Sequence, residues 1–166
     1  MRKIAAIGGI VFISFILTIV AMFTKLWISW SIGKFSYGIG IVPYHSNSAG
    51  WFTAASWMVF ISFGLFIPLI LVVLFTAYKV HHDGCCHSIR HCFNSICLIC
   101  SIIAVLEIIA FVLMAVNASR YVKGASISEK KSLLQLGSSA YLDLVSAILI
   151  IVATVLSGHA SHHDCH

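Results

Sequence analysis

Apolar positions in this chain fall into four long runs, and the charges fall between them. Positions 4–24 and 51–78 carry no charged residue. Glu107 is the one charge within 92–116, and Asp143 the one charge within 140–157. The runs do not alternate apolar with polar, as the segments of a transmembrane barrel would. About 20 apolar residues in a helix cross a hydrocarbon core roughly 30 Å thick. The pattern therefore predicts four spans, at about 4–24, 52–78, 92–116 and 140–157. The predicted fold class is an all-α integral membrane protein: one domain, 1–166, forming a four-helix transmembrane bundle with a small extracellular β-hairpin. The first run follows Met1, Arg2 and Lys3, as in a signal peptide. Its apolar stretch exceeds the roughly 7–15 residues of a signal core, and no small-x-small cleavage site follows. It reads as a retained helix.

The segments between spans differ in kind. Within 25–50, Phe35, Tyr37, Ile39 and Ile41 alternate with smaller or polar residues, which is a strand pattern. Leu26 to Ile32 is a second β-prone run holding Trp27 and Trp30, and Gly33-Lys34 can turn between the two. A hairpin resting on the membrane surface is expected. The competing reading is an irregular loop whose tryptophans anchor the interface. In 117–139, Ser128 can cap a helical turn running through Leu133 and Leu134 into the fourth span; a flexible connector is the alternative. The short loop at about 79–91 contains His81-His82-Asp83-Gly84-Cys85-Cys86-His87, and the chain ends His162-His163-Asp164-Cys165-His166. Both copies follow a helix running the same way, so both belong at one membrane face.

Composition agrees with the pattern. Of 166 residues, 60% are hydrophobic and 9% charged, against about 25% charged in soluble domains. The net charge of +5 is dispersed, so no nucleic-acid partner is expected. Charge also bears on orientation. Arg2 and Lys3 precede the first helix and Lys25 follows it, which places both termini in the cytoplasm. The wider count opposes this: Arg2, Lys3, Lys79 and Arg90 would be inside, against Lys25, Lys34, Arg120, Lys123, Lys130 and Lys131 outside. Cysteine placement favours the first reading. The six cysteines, at 85, 86, 92, 97, 100 and 165, all avoid the segments then placed outside, where thiols would oxidise.

Several constellations could carry chemistry. Cys85, Cys86 and Cys165 are juxtamembrane thiols, the usual targets of S-acylation. His81, His82, Cys85, His162, His163 and Cys165 are alternative zinc or copper ligands, though without a zinc-finger spacing. A third reading is a weakly charged interfacial turn. Cys97-Leu98-Ile99-Cys100 matches a redox motif, but free cysteine is also a common small core residue. No histidine lies well inside a span to ligate haem, so no cofactor is expected. Glu107 and Asp143 are intramembrane carboxyls. Each costs about 2.5–3.5 kcal/mol on insertion scales and must face protein or water. Hydrogen bonding between helices is the expected role, with a cation or proton site as the alternative. Ala5, Ala6, Gly8 and Gly9, and the series Ser139, Ser146, Ala153, suggest close helix packing. Pro68, four residues after Gly64, predicts a kink.

Four spans, a β-prone first external segment larger than the second, and chain ends at one face resemble the claudin and peripheral-myelin-protein superfamily. Trp27 or Trp30 stands where that family has a tryptophan, and Tyr37-Gly38-Ile39 is similar to its Gly-Leu-Trp. Cys85, Cys86 and Cys165 match positions where claudins are acylated. The family's external cysteine pair has no counterpart, and the segment is about half the usual length, so a five-stranded sheet is not expected. The resemblance implies a non-enzymatic protein of the plasma membrane, assembling laterally or at cell contacts. Its partners would be membrane lipids and either copies of itself or a larger membrane protein. The alternatives are an accessory subunit of an ion channel or receptor, and a metal or redox membrane enzyme. Trp27, Trp30, Phe35 and Tyr37 form the expected extracellular recognition surface.

Overall fold

A computed structural model describes residues 2–32, 35–42, 49–83, 87–124 and 133–163. Four helices, α1 (Arg2–Phe23), α2 (Gly50–Asp83), α3 (His87–Gly124) and α4 (Ser138–His163), are each long and apolar enough to cross a membrane. Their neighbour pairs are α1–α2, α2–α3, α3–α4 and α4–α1, which closes a ring. Three strands, β1 (Ile28–Ile32), β2 (Phe35–Ile39) and β3 (Leu133–Leu136), form one antiparallel sheet in the order β2–β1–β3. The sheet joins the end of α1 to the start of α4, so it lies at the end of the bundle opposite Arg2 and His163.

The buried face of each helix follows a spacing of three and four residues, and each face changes chemistry midway. On α1, Ile4, Ile7 and Val11 are followed by Ser14 and Thr18, then Ala21 and Met22. On α2, Phe52, Ala55 and Val59 lead to Ser62, then Phe66, Leu69 and Val73. On α3, Ile96, Cys100 and Ile103 lead to Glu107, then Ala110 and Met114. On α4, Ala140 leads to Asp143 and Ser146, then Ile150 and Ala153. Two apolar cores result, one near the sheet and one near the chain termini, with a polar layer between them. The opposite faces carry exposed Phe12, Ile61, Leu71, Leu98, Val112 and Val155. Only a hydrocarbon solvent makes such a surface favourable.

The four spans appear where the apolar runs place them, but the helices outrun the runs. The loop expected at 79–91 is helical through Asp83 and again from His87, and α3 continues past Asn117 to Gly124. At 34 and 38 residues, α2 and α3 measure about 51 and 57 Å at about 1.5 Å per residue. Hydrophobicity marks depth in the bilayer. Helix ends are set by backbone, and neither helix meets a glycine or proline at its membrane exit. Pro68 does not end α2. Both Pro68 and Gly64 stand on its exposed face.

The hairpin forms as expected, with Ile28 opposite Ile39, Trp30 opposite Tyr37 and Ile32 opposite Phe35. The second external segment departs from expectation. Leu133 and Leu134 belong to β3, pairing with Ser31 and Trp30 of β1, and not to a helical turn. The Ser128 cap lies outside the described residues. The short run Leu133-Leu134-Gln135-Leu136 suits either state locally, and the open edge of β1 decides it. Gly137 then lets the chain pass against Leu26. A Cβ at Gly137 would overlap the Leu26 carbonyl, the same group that accepts a bond from the Ser139 N–H at 3.1 Å. That bond satisfies one of the four donors a helix start leaves open.

Candidate functional site

Two places gather polar or aromatic groups: the sheet end of the bundle and the layer between the two cores. At the sheet end, Trp27 is wholly buried, which removes it from the expected recognition surface. Its indole N–H donates to the Ala21 carbonyl at 2.6 Å. Ala21 lies in the last turn of α1, where carbonyls have no partner within the helix. Trp27 thus caps α1 from the following segment while filling the core beside Met22, Phe52 and Val59. Its backbone ties the sheet to the bundle: the N–H donates to Ile39 O at 3.0 Å, and the carbonyl accepts from Gly137 N–H at 2.9 Å.

Trp30, Phe35 and Tyr37 hold the expected strand positions. Trp30 sits on the central strand, while Phe35 and Tyr37 are alternate residues of β2. Among the described residues β2 pairs only with β1, so its outer edge carries no strand. Around the rim, Phe23, Leu26 and Ile39 are exposed. Gly38 and Gly40 let β2 press on the end of α1. A Cβ at Gly38 would overlap the Lys25 carbonyl, and one at Gly40 would stand 2.8 Å from the Lys25 Cα.

The polar layer is centred on Glu107 of α3. Its Oε1 accepts from Ser62 of α2 at 3.0 Å and from Thr18 of α1 at 3.1 Å, with Ser146 of α4 at 3.5 Å. Thr18 and Ser146 also lie 2.9 Å apart, and both reach the Ser14 carbonyl at 3.1 Å. One carboxyl oxygen thus connects all four helices. This is the interhelical hydrogen bonding the sequence suggests for an intramembrane carboxyl. Asp143 differs: it is fully buried, and neither oxygen has a partner, nor do Glu107 Oε2 and Ser14 Oγ. Sequence reading found the two carboxyls but not the hydroxyls that meet them. Ser14 and Thr18, four apart on an otherwise apolar face, and Ser62 midway along α2 were the available signal.

The histidine and cysteine clusters are only partly visible. His81 and His82 are exposed on the last turns of α2, and His162 and His163 end α4. Cys85, Cys86 and Cys165 lie outside the described residues. Among the described residues no three of His, Cys, Asp and Glu gather as metal ligands. Cys97 and Cys100 are free thiols on α3, Cys100 being buried in the core near the chain termini. The series Ser139, Ser146 and Ala153 is fully buried. Of the four small residues at the start of α1, Ala5, Ala6 and Gly9 face outward. Gly8 faces Val73 of α2, 3.4 Å from where its Cβ would stand, while nothing lies within 4 Å of a Cβ at Gly9.

Comparison with known proteins adds one finding. A family model described as tight junction protein, claudin-like, matches residues 1–166. No curated protein sequence matches the chain.

Proposed function

The chain belongs to the claudin-like family of tight junction proteins, and we propose that it is a non-enzymatic assembly protein of the plasma membrane. Its chain ends face the cytoplasm and its sheet faces outward. Copies associate side by side or across a cell contact through that sheet. The observation that carries this reading is the pairing pattern β2–β1–β3, which among the described residues leaves the outer edge of β2 without a strand. An exposed edge offers a row of backbone donors and acceptors to another chain. The edge is held in place by Trp27, so little ordering is needed on association. Phe35 and Tyr37 occupy this strand, and aromatic residues concentrate binding energy at interfaces.

The test is cross-linking of the full chain in membranes, comparing wild type with Phe35→Ser combined with Tyr37→Ser. Loss of cross-linked oligomers, with the protein still inserted, is the expected result. Undiminished oligomers would refute the role of β2. A stoichiometric larger membrane protein copurifying in place of oligomers would replace assembly with an accessory-subunit role.

A further inference from the structure

The polar layer is short of donors. Four hydroxyls lie in it: that of Ser14 has no partner, and those of Thr18, Ser62 and Ser146 supply one hydrogen each. These serve Glu107 Oε1, the Ser14 carbonyl and each other. Glu107 Oε2, both oxygens of Asp143 and Ser14 Oγ receive nothing, although each is sealed from solvent. A buried unsatisfied polar group costs about 1–3 kcal/mol, more when charged. Hydrogen bonds within the layer therefore do not account for its composition.

These groups share one place. Asp143 precedes Ser146 by three residues, so it stands on the same face of α4, one turn nearer the sheet. Ser146 in turn lies 3.5 Å from Glu107 Oε1, so the face of α4 that carries Asp143 is the face turned toward Glu107. No lysine, arginine or histidine occurs in 4–23, 50–78, 92–118 or 138–158, so no side chain of the spans can neutralise either acid. What remains is a layer of oxygens alone: two carboxyls and four hydroxyls, contributed by all four helices. Hard cations take such oxygens, with calcium accepting six to eight at about 2.3–2.6 Å.

We propose that Glu107 and Asp143, together with Ser14, Thr18, Ser62 and Ser146, form an intramembrane binding site for one hard metal cation. The cation supplies the positive charge the spans lack and occupies the unpartnered oxygens together. Calcium balances two carboxylates. Sodium balances one, the other keeping its proton. Because the ligands come from all four helices, occupancy fastens the bundle at mid-depth.

The test uses the full chain in mild detergent, stripped with chelator and held in choline chloride at constant ionic strength and pH. Thermal unfolding is followed while calcium chloride or sodium chloride replaces choline. Equilibrium dialysis with radioactive calcium measures binding directly. At about 100 times Kd a bound ion shifts the unfolding equilibrium about 100-fold. The expected result is a melting temperature that rises with one of the two cations in wild type. The rise should vanish in Glu107→Gln and in Asp143→Asn. Ser56→Ala, whose hydroxyl bonds within α2 at Phe52 O, should keep it. The calcium and sodium arms identify the ion. A wild-type melting temperature indifferent to both cations overturns the site, whatever the variants do. So does an Asp143→Asn response equal to wild type, or stability that follows pH alone.

Discussion

Trp27 shows how one side chain can serve two parts of the fold. Its ring fills the core near the sheet, and its N–H closes the open carbonyl of Ala21. The two contributions separate by substitution. Trp27→Phe keeps the packing and leaves the carbonyl unpaired, at an expected cost of about 1–2 kcal/mol. Trp27→Ala also opens a cavity, at about 3–5 kcal/mol. Unfolding in detergent by a graded denaturant measures both, and equal losses would contradict the division. Thr18 is the comparable residue of the polar layer. Thr18→Val preserves shape but removes the hydroxyl between Glu107 and Ser146, with an expected loss of about 0.5–2 kcal/mol. The sequence announces Glu107 and Asp143 because a charge stands out in an apolar run. It is silent on which hydroxyls meet them, because serine and threonine are common in spans. Trp27 reads equally well as a surface or a buried residue until the neighbouring backbone is placed.

At the scale of elements, the four helices and the hairpin are written in runs of apolar and alternating residues. β3 is not. Leu133-Leu134-Gln135-Leu136 has no alternation, and it becomes a strand because β1 presents an open edge beside the start of α4. Gly137 enforces this junction. Gly137→Ala should push the chain away from Leu26, break the Ser139–Leu26 bond and detach β3 from β1. Hydrogen exchange would report it as faster exchange at Leu133 to Leu136 and at Ser139, with the rest of the helices still protected. Unchanged exchange would mean that the junction tolerates a side chain. Helix length is likewise hidden from composition. The runs mark where hydrocarbon begins and ends, while α2 and α3 stop only at Asp83 and Gly124.

Across the whole molecule, an even number of helices puts Arg2 and His163 at one end and the sheet at the other. Orientation then becomes a single choice, taken here from Arg2, Lys3 and the cysteine distribution. In a chain freed of native cysteines, Ser36→Cys should react with an impermeant thiol reagent on intact cells. His81→Cys should react only after permeabilisation. The reverse pattern would invert the protein and turn its sheet inward. In the proposed assembly, copies meet through β2 and not through their lipid-facing helices. Oxidative cross-linking of single-cysteine variants in native membranes tests it most directly, comparing Ser36→Cys on β2 with Val155→Cys on the exposed face of α4. The expected result is disulfide-linked dimers from Ser36→Cys and monomers from Val155→Cys; dimers from Val155→Cys alone would contradict assembly through the sheet.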